Sequence, residues 1–219
     1  MWAILTDPAR RGGGWTAEAF FATGVAEADR VMAAVRSAVP NFSPAGGVAL
    51  DFGCGIGRLS RAFGARFAHV VGVDISAAML ARAEACNPEK GRVTYVLGNP
   101  SGIPLADASV DFAYSGIVLQ HVPRSMQEGY VREFFRVLRP GGLAWFQTPG
   151  RHLRDLGRIF FGQVETATGP ARIELHMFPR ADVEAMVAAA GGELVNVSAD
   201  ASCGADFESW AYLACRRRP

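Results

Sequence analysis

One stretch constrains this chain more than any other: Val48-Ala49-Leu50-Asp51-Phe52-Gly53-Cys54-Gly55-Ile56-Gly57. A short apolar run ends in an acid, and glycines then fall at every second position up to Gly57. From Arg58 the residues Leu59-Ser60-Arg61-Ala62-Phe63 take up a helical pattern. That order predicts a buried strand, a tight loop and a helix N-terminus. Glycines admit positive φ and let backbone touch a ligand, while the first helical turn leaves N–H groups without partners. A ligand site at the end of a strand is the expectation.

A second acid, Asp74, closes the next apolar run, Ala68-His69-Val70-Val71-Gly72-Val73. An acid at the end of strand two is placed to hold ribose hydroxyls, so Asp51 and Asp74 bracket a nucleoside-bearing cofactor. Spacing narrows the choice. The dinucleotide fingerprint G-x-G-x-x-G needs glycine at position 58, which is Arg58. Asp51 at the loop mouth would repel a pyrophosphate but suits a ligand carrying positive charge. The plain alternative is that the glycines only make a tight strand–helix turn. Asp51-x-Gly53-x-Gly55-x-Gly57 with Asp74 resembles the first two motifs of class I S-adenosylmethionine-dependent methyltransferases.

That resemblance is strongest over residues 48–148. It implies an α/β fold: a Rossmann-like, mostly parallel seven-stranded sheet with helices on both faces and the last strand antiparallel. It also implies S-adenosylmethionine as cofactor. A single domain is expected, made of an N-terminal helical cap (1–47), a cofactor-binding core (48–148), a substrate-binding segment (149–178) and a C-terminal helix with strands (179–219). The length of 219 residues suits one such domain.

A formal net charge of +1 makes no electrostatic case for nucleic acid. Basic residues are almost all arginine, with Lys90 the one lysine, which looks more like codon usage than a binding surface. Cys54, Cys86, Cys203 and Cys215 show no metal-ligand spacing and no disulfide-scaffold density. Residues 1–8 lack the basic and apolar regions of a signal peptide, and no apolar run reaches membrane-spanning length. The expected protein is cytoplasmic and reduced, a monomer or homodimer acting on a small molecule, with no metal and no membrane partner.

Along the chain, residues 7–14 read as loose turns. Trp15, Phe20, Phe21, Val25, Val31, Met32 and Val35 form an apolar helical stripe broken at Gly24, either a lid over the cofactor or a core-packing helix. Ser76 is a plausible N-cap for the helix after strand two. The resemblance places Ile75 and Met79 beside an adenine and puts residue 99, usually an acid, at the adenine edge. Here that residue is Asn99, whose amide carbonyl still accepts a hydrogen bond, followed by Pro100. Cys54, inside the loop, reads as packing beside the ligand and not as a nucleophile. Strands are expected at 93–97, 143–148, 193–198 and 210–215, with helices at 125–138 and 179–190. Arg139-Pro140-Gly141-Gly142 is a sharp turn common in the family. Residues 149–178, with Arg151, Arg154 and Arg158 near Ile159-Phe160-Phe161, read as an irregular acceptor-binding segment or an amphipathic helix.

Methyl transfer from a sulfonium asks mainly for alignment and desolvation, and for a base when the acceptor must lose a proton. The resemblance assigns the loop amides and Asp51 to the methionine end, Asp74 to the ribose, and Ser115 and Gln120 to the rim facing the acceptor. His121 and His176 are the candidate bases, with structural or orienting roles as the alternative; Tyr114 is a further candidate. His69 and His152 have weaker claims. Methyl transfer at oxygen, nitrogen or carbon of a small molecule is the resulting expectation. Its rivals are a non-catalytic cofactor-binding regulatory module and an NAD-dependent oxidoreductase.

Overall fold

The computed structural model describes residues 15–154, 159–166 and 169–218, with side chains described outside 160–173. Residues 1–14, Arg158 and the side chains of Phe160 and Phe161, on which some sequence expectations fall, lie outside that range.

Nine strands form among the described residues: β1 (Val48–Phe52), β2 (His69–Asp74), β3 (Val93–Leu97), β4 (Val110–Ser115), β5 (Leu138–His152), β6 (Ile159–Thr166), β7 (Gly169–His176), β8 (Gly192–Ala199) and β9 (Phe207–Arg216). The helices are α1 (Ala17–Ala38), α2 (Arg58–Gly64), α3 (Ala77–Ala85), α4 (Arg124–Val137) and α5 (Arg180–Ala189). Seven strands share one sheet in the order β3-β2-β1-β4-β5-β9-β8. Strands β1 to β5 pair in parallel, and β9 runs antiparallel to both neighbours. The expected architecture is therefore observed, with the last strand inserted between β5 and β8. Chain order runs outward from β1 in one direction and from β4 in the other. Their carboxyl ends meet at the switch point where ligands of such sheets bind.

Both faces of the sheet are covered, and alternation along each strand explains how. On β1, Ala49 joins a core with Val31, Met32 and Val35 of α1 and Phe63 of α2, while Leu50 joins Phe134 and Phe135 of α4 and Val183 and Val187 of α5. The first six residues of this list beyond β1 each bury a whole side chain, worth roughly 1.5–3 kcal/mol apiece for the aliphatic and aromatic ones. Helix starts follow local chemistry: Thr16 Oγ1 accepts from Ala19 N–H, and Ser76 Oγ from Met79 N–H. Among the described residues no helix is long and apolar enough to cross a membrane.

Three expectations need correction. Gly24 does not break α1, which is continuous; a Cβ there would lie 2.4 Å from the Arg58 carbonyl oxygen, so the glycine is where α1 crosses the start of α2. Arg139-Pro140-Gly141-Gly142 is not a free turn. α4 passes directly into β5, and the four residues form an irregularity in which the register moves from Val110↔Leu138 to Phe112↔Leu143, with Gly141 at φ +84°. The described residues of segment 149–178 are mostly strand, and none of them is helical. β5 continues to His152 against β9, and 159–176 folds as the hairpin β6–β7, paired from Ile159↔His176 to Thr166↔Gly169. The β-branched and aromatic residues of 159–166 favour that outcome, and Gly162 obscures the alternation that signals it.

Candidate active site

The glycine loop has the geometry its sequence predicts. Gly53, Gly55 and Gly57 hold φ of +74°, +54° and +80°. Gly53 and Cys54 both donate their N–H to the Val73 carbonyl at 2.7 and 3.1 Å, which folds the loop back onto β2. Side chains are excluded by space as well as by angle. A Cβ on Gly53 would meet Val118 at 2.3 Å, and one on Gly57 would meet the Tyr95 hydroxyl at 2.0 Å.

Asp74 ties this loop to the next helix. Its Oδ2 accepts from Gly55 N–H at 2.8 Å and its Oδ1 from Ser76 N–H at 2.8 Å. Each oxygen keeps a lone pair for a further donor. Asp51 lies deeper, 2 % exposed, with its Oδ2 accepting from Ser60 Oγ at 2.6 Å. Burial pushes its pKa up to about 6 against the help of Ser60 and Arg58, so its charge responds to what lies beside it. The buried Cys54 thiol is pushed up by desolvation and by the charges of Asp51 and Asp74, which keeps it protonated and suits a packing role.

These groups open into one cleft of about 260 Å³. Asp51, Gly53, Cys54 and Gly55 form its floor, and Asp74, Ser76 and Met79 one wall. The opposite wall is Gly116, Ile117 and Val118, with His121 at the rim. Ile117 is a β-branched residue at φ +59°, a conformation that needs support from its surroundings. Of the other predicted residues, Gly57 supports the loop from behind. Ile75 is 71 % exposed beside the cleft; Asn99 and Pro100 are exposed on the turn after β3. The Asn99 Oδ1 accepts from Ser101 N–H at 2.8 Å. Ser115 and Gln120 are buried and do not line the cleft.

Two features went unread in the sequence. Leu97, 54 % exposed, pairs with Asp74 across β2–β3, so with Ile75 it makes an uncovered apolar edge leading from the acid towards Asn99. Behind the loop, Arg58 donates to Glu27 of α1 at 3.0 Å, and the Tyr114 hydroxyl donates to the same carboxylate. Arg58 and Tyr114 both line the cleft. Desolvation and the nearby Glu27 charge raise the Tyr114 pKa well above that of a free phenol. The helical stripe of α1 signalled burial, but nothing local linked Glu27 to residues 31 and 87 positions away.

The two histidines part company. His121 faces the cleft, and desolvation, with His176 nearby, holds its pKa below the ordinary imidazole value. His176 is buried on β7, its Nε2 3.1 Å from Glu174 Oε1, and it does not line the cleft.

Comparison with known proteins bears on the segment that builds this cleft. A family described as a methyltransferase domain matches residues 50–146. Those residues, somewhat under half of the chain, are similar to a methyltransferase domain. Its relatives include a 24-methylenesterol C-methyltransferase of Oryza sativa, 45 % identical over 98 residues, which are 43 % of this chain and 26 % of that protein. A malonyl-[acyl-carrier protein] O-methyltransferase of Yersinia pestis is 37 % identical over 116 residues, 52 % of this chain and 42 % of its own length. The chain thus spans well under half of either relative. In fold it is similar to the S-adenosylmethionine-bound structure of an amino pentose methyltransferase from Micromonospora echinaspora. The TM-score is 0.65 and the identity 22 %, with 95 % of each chain covered.

Proposed function

We propose that this domain transfers the methyl group of S-adenosylmethionine to a small-molecule acceptor at an oxygen, nitrogen or carbon atom. The observation that carries the reading is the convergence of two positive-φ glycines, Gly53 and Gly55, with Asp51 and Asp74 on one cleft that His121 also lines. The residues fit the cofactor's chemistry. The loop admits close backbone approach, and the buried carboxyl of Asp51 gains its charge most readily beside a cation. Bound there, S-adenosylmethionine would supply a methyl group already activated as a sulfonium.

Within this reading the lone pairs that Asp74 keeps free accept from ribose hydroxyls. Asp51 holds the methionine end, and the backbone of Gly53, Cys54 and Gly55, its N–H groups bonded to Val73 and Asp74, packs closely against it. Met79, Ile75 and Leu97 cover the adenine faces, with Asn99 and Pro100 at its edge. Gly57 keeps Tyr95 beneath the loop. Ser115 and Gln120 act from behind the wall and not on the cofactor. The acceptor approaches over Ile117 and Val118, between the cleft and β7, and His121 takes its proton where one must leave. His176 packs on β7 beside Glu174 of the same strand.

Calorimetric titration with S-adenosylmethionine, S-adenosylhomocysteine and NAD in parallel tests the cofactor. Binding of the two adenosyl ligands alone supports it, whereas NAD binding, or no binding at all, overturns it. Incubation with S-adenosylmethionine and a panel of phenols, amines, carboxylic acids and activated methylene compounds then tests transfer, read as a one-methyl mass gain.

A further inference from the structure

The rim histidine belongs to a chain of hydrogen bonds whose direction can be worked out from its two ends. At one end stands a backbone N–H, that of Ile117, 3.3 Å from Gln147 Oε1. A backbone N–H only donates, so the Gln147 atom facing it is the carbonyl oxygen. Gln147 Nε2 therefore points the other way, to Cys203 Sγ at 2.7 Å and Ser209 Oγ. The Cys203 sulfur accepts there, and its own proton goes to Gln120 Oε1 at 2.7 Å. That leaves Gln120 Nε2 facing His121 Nε2 at 3.3 Å, and His121 Nδ1 facing the Glu174 carbonyl at 3.4 Å. The far end is a backbone carbonyl, which only accepts. Donor and acceptor alternate without conflict from one fixed end to the other.

We infer that Gln120, oriented by Cys203 and Gln147, is a positioning residue that sets the tautomer of His121. Nδ1 carries the proton, and Nε2 is the nitrogen free to receive one. The inference rests on His121 being the proton acceptor under Proposed function only for its catalytic meaning. The tautomer stands on the hydrogen bonds alone.

Two physical facts support the relay. Gln120 is 4 % exposed, so both ends of its amide need partners and a reversed amide would set two donors or two acceptors against each other. Burial pushes the Cys203 thiol up, so it stays S–H and able to donate. The charged and titratable groups facing His121 are Glu174 and His176 of β7, and across the cleft Asp51, Asp74, Arg58 and Tyr114.

Four histidines make the test direct. Long-range 1H–15N spectra of uniformly 15N-labelled protein distinguish the two tautomers, with His121→Asn supplying the assignment. We expect His121 as the Nδ1–H form. Gln120→Glu places a carboxylate against Nε2, and the His121 midpoint should move up by about one pH unit, a tenfold change in proton affinity. Cys203→Ser keeps a donor to Gln120 and should preserve the wild-type tautomer, whereas Cys203→Ala should mix the two. A predominantly Nε2–H wild-type ring overturns the inference, as does an unmoved midpoint in Gln120→Glu. If Gln120→Glu does not fold, the Cys203 pair decides, and equal spectra for Ser and Ala overturn it. Full methyl transfer by His121→Asn would instead remove the base assignment and leave the tautomer result intact.

Discussion

The two sides of the cleft are built differently. On the cofactor side, the contacts of the two acids are short in sequence: Asp51 meets Ser60 nine residues on, Asp74 meets Ser76 two residues on, and Gly55 reaches Asp74 across 19. On the acceptor side, His121 meets Glu174 over 53 residues, Gln147 meets Ser209 over 62 and Cys203 meets Gln120 over 83. The first side is a local device that one strand–loop–helix unit and its neighbour nearly complete. The second exists only when β5, β7, β9 and the loop before β9 have come together. A fold of this kind can keep one half constant and change what it acts on through the other.

The largest expected effect belongs to the cofactor side. Asp51 takes up a proton more readily in the folded chain than in the unfolded one, where its pKa is the ordinary 3.8. Its contribution to stability is therefore complete below pH 4 and lost as pH rises through about 6. Relative to wild type, ligand-free Asp51→Asn should gain roughly 2–3 kcal/mol between pH 4 and pH 7, measured by urea denaturation at both values. It should also bind S-adenosylmethionine more weakly. A constant difference between the two proteins would mean that Asp51 is charged without its ligand.

Next is Asp74→Ala, which removes charge-assisted hydrogen bonds. Affinity for S-adenosylmethionine should fall by about 1.5–3 kcal/mol, roughly ten- to over a hundredfold, by calorimetry. Unchanged binding would sink the ribose assignment. Gly24→Ala tests whether α1 is part of the cofactor side. On propensity alone alanine should stabilise a helix by up to about 1 kcal/mol, but the contact with the Arg58 carbonyl should turn this into a loss of roughly 1–3 kcal/mol in denaturant. The smallest effect sharpens the comparison. Cys203→Ala should cost about 0.5–1.5 kcal/mol of stability and leave S-adenosylmethionine affinity as in wild type. A loss of cofactor affinity would show that the two sides are not separable.

What was legible follows the same division. Glycine spacing and the acids at two strand ends pointed to the loop and its ligand site, because each depends on backbone conformation within a few residues; the sheet was implied by the family resemblance that those residues carry. Gln120 was read as a ligand contact from its place after β4, yet both its amide atoms face inward to Cys203 and His121. Nothing near position 120 announces a partner at 203. The hairpin 159–176 was missed because Gly162 interrupts a pattern that long-range pairing completes. Glu27 was lost for the opposite reason, a single acid on an otherwise ordinary amphipathic helix.

The place of β9 has a consequence for how the molecule is made. β8 is synthesised first but finds its sheet neighbour only in β9, and β5 likewise waits for β9 along its far edge. During translation the parallel core β1–β5 can assemble while β5 still offers an open edge. Closing that edge requires the later strand to enter between two waiting ones, a non-local step of the kind that slows folding. The cofactor side would then be shaped before the acceptor side, and a nascent chain would hold its donor pocket before it had anything to methylate.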